Sequence, residues 1–175
     1  EAARRGASIF GIDINQSAVD MMSNTEDPNR FARVDIGSQP IPFETKFDLI
    51  YALDMVCYLS DTEIRTMLCN CLDSLDPLGY LVIQFIQGDW VRNPTQPPLD
   101  REESAKWKLL EGSFASDNPL RILECGHLIN LAKSIGGELV GEKTTTETFG
   151  LDERFMRSNK FLMFRRSDEL NKVRV

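Results

Sequence analysis

Three carboxylates stand where apolar runs of the chain stop. Asp13 closes ASIFGID at Ala7–Asp13, Asp35 closes FARVD at Phe31–Asp35, and Asp54 follows FDLIYAL at Phe47–Leu53. An ionised carboxylate has two acceptor oxygens for a ligand's donors, or it caps the backbone of the next turn. Trp90 and Trp107 each offer an aromatic face to an apolar group or a cationic amine, or else anchor their segment to the core. Cys69 and Cys71 form C-x-C in a helical pattern, which turns them about 200° apart around the axis. With His127 the only histidine, a zinc site is not expected. His127 lies one turn from Leu123 and Leu131 in a mostly apolar helix. It reads as a structural histidine, with an active-site base as the alternative.

The elements that must position these residues alternate between strand and helix. The first two acids end short buried strands, separated by a helix over Asn15–Ser23 with Ala18, Met21 and Met22 on one side. Pro40 and Pro42 mark an irregular connection. Phe47–Leu53 is nearly all apolar, as in a strand covered on both faces of a parallel sheet. Ser60 and Glu63 form a capping-box pair, and Ile64, Met67, Leu68, Cys71, Leu72 and Leu75 follow at helical spacing. Pro77 and Gly79 stop that helix before a strand at Tyr80–Ile86. Arg121–Ile135 reads as a helix ended by Gly136-Gly137. Glu138–Thr146 and Lys160–Arg166 read as an antiparallel pair of closing strands. This rhythm predicts a doubly wound α/β sheet, helices on both faces, with ligands bound beyond the carboxyl ends of the strands.

At 175 residues, the chain has room for one domain; 42% hydrophobic and 27% charged residues are globular values. A net charge of −7 with no basic patch beyond the pairs Arg4-Arg5 and Arg165-Arg166 argues against a nucleic-acid partner. The apolar run Tyr80–Ile86 is far shorter than the roughly 20 residues of a membrane helix. Glu1–Gly6 lacks the apolar core of a signal peptide. Four cysteines are sparse for a disulfide scaffold, so a reducing, cytoplasmic setting is expected.

The segment order resembles the later portion of a class I S-adenosylmethionine-dependent methyltransferase domain. The matching pieces are ARRGASIFGIDIN at Ala3–Asn15, ARVDI at Ala32–Ile36, KFDLIYALDMVCYLSD at Lys46–Asp61 and LDSLDPLGYLVIQF at Leu72–Phe85. The amphipathic helix, small-residue turn and strand of Ile122–Val140 fit as well, although Gly137 replaces the family's usual phenylalanine. The resemblance implies a Rossmann-like, mostly parallel sheet with an antiparallel closing strand. It places a partial methyltransferase domain over 1–166, a substrate-side insertion at about 87–120 and a charged tail at 167–175.

The resemblance also implies roles. Asp13 matches the acid that accepts from both ribose hydroxyls, where the alternative is a cap on the following helix. Asp35 matches the acid that accepts from the adenine amino group, beside the Ile36 amide, or is a turn residue before Gly37. Ile14 and Ile36 would wall the base, and the Leu53 carbonyl would meet the cofactor's ammonium. Asp54 and Tyr58 occupy the turn that lines the transfer site. There Asp54 would orient the acceptor, take its proton as a general base, or serve only the turn. Trp90 falls where substrate is recognised. S-adenosyl-L-methionine is the implied cofactor, a small molecule the implied acceptor, and in-line methyl transfer the reaction. No metal, nucleic acid or membrane is involved.

One departure is large. The family's first strand and G-x-G-x-G loop have no counterpart in these residues, and the chain starts at Glu1 rather than methionine. In the family's strand order, 3-2-1-4-5-7-6, that strand is central. The expectation is an N-terminally truncated chain, short by about 40–70 upstream residues for a domain of typical size, and inactive by itself. Its two orphaned strands would face a gap or pair directly. Competing classes are a non-catalytic methyltransferase-like interaction domain and, more weakly, a nucleotide-binding oxidoreductase domain.

Overall fold

The computed structural model describes residues 6–24, 27–86, 91–92, 123–148 and 155–167. The chain begins with β1 (Gly11–Asp13), α1 (Gln16–Ser23) and β2 (Phe31–Arg33). Asn15 starts α1 by accepting from the Ser17 amide at 2.9 Å, so the local cap sets the turn after β1. The two strands pair in parallel from Gly11 with Phe31 to Asp13 with Arg33. Both are shorter than their apolar runs. Residues before Gly11 have no ladder partner on β2, and Asp35 turns the chain by accepting from the Ser38 and Gln39 amides. On α1 the buried residue is Val19, whereas Met21 is exposed.

The second sheet carries the core. It contains β3 (Phe47–Leu53), β4 (Leu75–Ile86), β5 (Val91–Arg92), β6 (Gly137–Thr148) and β7 (Phe155–Arg166). β3 and β4 are parallel, joined by the crossover helix α2 (Asp61–Ser74). β7 runs antiparallel to β4 and β5 on one edge and to β6 on the other, so the expected closing pair is present and longer than its apolar run. β4 also begins earlier than expected, because Leu75 already pairs with Phe47 across a bulge. At that bulge a Cβ on Gly79 would lie 2.5 Å from the Phe47 carbonyl oxygen, so only glycine fits.

Helix α2 has the capping box that its sequence spells: the Ser60 amide donates to Glu63 Oε2 at 2.7 Å and the Glu63 amide to Ser60 Oγ at 3.4 Å. Its residues Ile64, Met67, Leu68, Cys71 and Leu72 pack with α3 (Cys125–Ser134) onto Ala52, Leu81, Ile83, Phe85, Leu162 and Phe164. Gly136, at φ +84°, ends α3 as a left-handed C-cap. All four cysteines are free thiols, and burial pushes the Cys71 thiol up to about 12.

Helix cover differs from the two-faced expectation. Among the described residues α2 and α3 cover one face of the larger sheet. Leu49, Tyr51 and Leu53 point from the other face and are more than half exposed. β1 and β3 belong to different sheets and do not pair with each other. The described strands form two ladders, β1-β2 and β3-β4-β7, with β5 and β6 each pairing β7.

Leu68→Ala is expected to cost about 3 kcal/mol by cavity formation, and Ser60→Ala about 1 kcal/mol by loss of the cap, both read by urea denaturation. Hydrogen bonds from Ser60, first its hydroxyl and then its amide, hold the Glu63 carboxyl below its usual range. That contribution is present above the ordinary glutamate range and is lost as pH falls through the lowered value. The Ser60→Ala penalty should therefore shrink on acidification.

Candidate functional site

The parallel strands β3 and β4 end at one rim of the larger sheet, where Asp54 follows β3, while Asp13 closes β1 and Asp35 follows β2 in the smaller sheet. Asp13 uses Oδ1 to accept from the Asn15 amide at 2.8 Å, while among the described residues nothing bonds Oδ2. Its carboxylate thus caps the turn and keeps an oxygen for a ligand. The adjacent Ile14 side chain is exposed, and its carbonyl is held by Arg33 Nε of β2 at 3.0 Å. An apolar side chain fixed this way beside an acceptor suits a nucleoside-like group.

Asp35 is more heavily committed. Oδ1 accepts from the Gly37 amide at 3.1 Å, and Oδ2 from the Ser38 hydroxyl at 2.7 Å. The turn role is present, and each oxygen retains a second lone pair for a ligand donor. Ile36 contributes its side chain to the core, not to the rim. Its amide N–H has no acceptor among the described residues, although the residue is buried. An amide N–H without a partner is a donor that a ligand acceptor can meet.

Leu53 ends β3 opposite Gln84, and the next amide, Asp54 N–H, donates to the Gln84 carbonyl at 3.0 Å. In a parallel ladder these bonds alternate between residues, so the Leu53 amide and carbonyl point away from β4. Among the described residues no strand pairs with β3 on that side, so the carbonyl can accept from an ammonium. Asp54 then adopts φ +47°, the only left-handed non-glycine position among the described residues. Strain of this kind persists where surrounding structure enforces it, commonly at functional sites. Its carbonyl accepts from Cys57 Sγ at 3.1 Å, which tucks the one-turn helix Val56–Tyr58 under the rim and leaves Tyr58 half exposed. Trp90 and Trp107 lie outside the described residues.

Two ion pairs at the same rim were not singled out from sequence. Asp61, in the first turn of α2, lies 3.1 Å from His127 Nε2 in the first turn of α3. Lys160 is buried on the helix-covered face of β7, where it bonds Glu142 of β6 and Thr144 Oγ1. The second pair left a trace in the sequence: Lys160 shares the alternation phase of Leu162 and Phe164, so it had to point inward. Burial and the nearby Glu142 charge raise the Cys125 thiol, while Lys160 acts the opposite way.

Comparison with known proteins bears on the fold that carries these residues. A family model described as a methyltransferase domain matches residues 1–83. No curated relative matches the sequence. Among solved structures, a TehB-like S-adenosylmethionine-dependent methyltransferase from Corynebacterium glutamicum superposes with a TM-score of 0.62 at 19% identity, over 94% of this chain and 71% of that one. A methyltransferase of the same dependence from Methanosarcina mazei gives 0.64 at 14% identity, over 94% and 85%. Magnesium protoporphyrin IX methyltransferase from Synechocystis, solved with bound S-adenosylhomocysteine, gives 0.60 at 16% identity, over 94% and 67%. Residues 1–83 thus match a methyltransferase domain, and the fold is the one these S-adenosylmethionine-dependent methyltransferases share.

The open Asp13 oxygen, the Ile36 N–H and the outward Leu53 carbonyl form a donor and acceptor set that fits this cofactor. Asp54→Gly should retain thermal stability close to the native value. Asp54→Val, with a branched Cβ at a left-handed position, should lose about 2 kcal/mol by thermal unfolding.

Proposed function

We propose that the domain methylates a small-molecule acceptor by in-line displacement. The observation that supports this is the set of groups left open at strand ends, an Asp13 carboxylate oxygen, the Ile36 N–H and the Leu53 carbonyl, which suits a nucleoside and amino-acid ligand. Bound cofactor supplies a methyl group already activated on a sulfonium. The protein's share is then alignment and exclusion of water, not an elaborate acid–base apparatus.

Each residue has a defined task in this proposal. Asp13 accepts from the ribose hydroxyls through its open oxygen, and a charged acceptor holds such donors more strongly than a neutral one. Asp35 and the Ile36 amide meet the adenine edge, and the exposed Ile14 covers its face. The Leu53 carbonyl accepts from the ammonium. Asp54 orients the acceptor, with Tyr58 and Trp90 lining its side. A net charge of −7 supports a small acceptor over nucleic acid, and four free thiols support a reducing cytoplasmic setting. No helix among the described residues is long and apolar enough to cross a membrane.

A second proposal is a non-catalytic interaction domain of the same fold. The family's G-x-G-x-G loop, where present, brings backbone amides against the cofactor, so the two readings separate on cofactor binding. Calorimetric titration of S-adenosylmethionine into the full-length protein decides between them. The enzyme predicts binding that weakens at least ten-fold in Asp13→Ala, by about 1.4 kcal/mol or more. A folded wild type that binds no cofactor refutes the enzyme.

A further inference from the structure

We propose that Arg33 is a positioning residue for the adenosine end of the cofactor and acts through Ile14; this rests on the methyltransferase function proposed above. The strand register puts Arg33 beside the residues concerned. The β1–β2 ladder closes on the rung Asp13–Arg33, and partners on one rung share a face of the sheet. The Arg33 side chain therefore rises beside the carboxylate that would take the ribose. From there its Nε donates to the Ile14 carbonyl at 3.0 Å, across 19 residues of sequence.

That bond extends the ladder where the backbone stops. The Val34 amide donates to the Asp13 carbonyl at 2.9 Å, and among the described residues no further backbone bond joins the two segments. Beyond it the second segment turns away, with the Asp35 carbonyl accepting from the Ser38 amide at 3.0 Å and the Gln39 amide at 2.7 Å. Ile14 stands one residue past the last rung, and Arg33 supplies a side-chain donor there. The neighbours of Ile14 are held by bonds of their own. Asp13 is tied to Val34, and the Asn15 amide donates to Asp13 Oδ1 at 2.8 Å while its side chain caps α1. The direction of the Ile14 carbonyl rests on Arg33.

Fixing that residue matters because its side chain is 62% exposed, so core packing does not set where it points. A β-branched side chain is stiff about its own first torsion, and its direction follows the backbone that carries it. With the carbonyl held, Ile14 stands ready over the base position beside the open Asp13 oxygen. A group ordered before binding does not have to be ordered by the ligand, which raises affinity without a new contact. Arginine suits this task, since its guanidinium is planar and stays charged at every working pH.

The test is calorimetric titration of the full-length protein with S-adenosyl-L-homocysteine as the probe, in a double-mutant cycle of Arg33→Met with Ile14→Ala. Arg33→Met, with its thermal midpoint near the native value, should weaken binding about five-fold, as for the loss of one hydrogen bond. In the Ile14→Ala background the same substitution should cost less than about two-fold, because the side chain that Arg33 aims is gone. Unchanged affinity in Arg33→Met overturns the proposal and leaves the methyltransferase function standing. An equal loss in both backgrounds overturns it too, since Arg33 would then act without Ile14. A folded wild type that binds no probe removes the methyltransferase function itself, and this proposal with it. Should Arg33→Met melt early, Arg33→Lys, which keeps the charge but not the planar donor, is read by the same two ratios.

Discussion

The rim depends on one buried layer, the packing of α2 against β3 and β4. Two parallel strands cannot be joined by a tight turn; they need a crossover, and burying that crossover helix is what holds their ends level. Ile64, Met67 and Leu68 are fully buried against the sheet, and each removes apolar surface from water at about 25 cal/mol per Å². Once that layer is fixed, Leu53 and Gln84 stand opposite each other and the Asp54 amide must complete the ladder. The left-handed turn at Asp54 follows from that commitment. So does the placement of Asp61, because α2 can start only where the turn ends.

The same packing explains why polar groups collect at one end. Every parallel strand delivers its carboxyl terminus to the rim, and every helix that runs back along the sheet brings its first turn there. Asp13, Asp54, Asp61 and His127 come from four separate segments of sequence and share no local pattern. Lys160 and Glu142 join them through the antiparallel pairing of β6 with β7. The site is a product of topology, and its side chains are spread across most of the chain.

That origin sets what the sequence could reveal. The start of α2 was legible because Ser60 and Glu63 are three residues apart, and its buried stripe because helical spacing is local. Phe47–Leu53 was legible to the residue as an apolar run, although the strand ends the ladder of the larger sheet and exposes one face. The acids at the strand ends were marked by the apolar runs before them, and the order of segments carried the resemblance to methyltransferases that the domain match over residues 1–83 supports. Local patterns carry no information on which neighbour a strand will find. Hence the two short strands of the smaller sheet ran past their true ends, and the uncovered face bearing Leu49, Tyr51 and Leu53 went unforeseen. The contact between Asp61 and His127 was invisible for the same reason: two helix surfaces meet across a long stretch of chain. The backbone angle at Asp54 has no sequence signal, because aspartate is merely tolerated at positive φ.

The division of the strands into two sheets bears on affinity in a way that contact geometry alone does not express. Asp13 belongs to the smaller sheet and Leu53 to the larger, and no backbone ladder joins them. What connects the halves is side-chain packing: Phe10 against Phe43 and Phe47 at centroid separations of 5.0 Å and 5.4 Å, and Asn70 Nδ2 donating to the Gln39 carbonyl at 2.8 Å. A ligand held by both Asp13 and Leu53 would tie together two separate runs of backbone, and its contacts would add to the aromatic packing that already joins them.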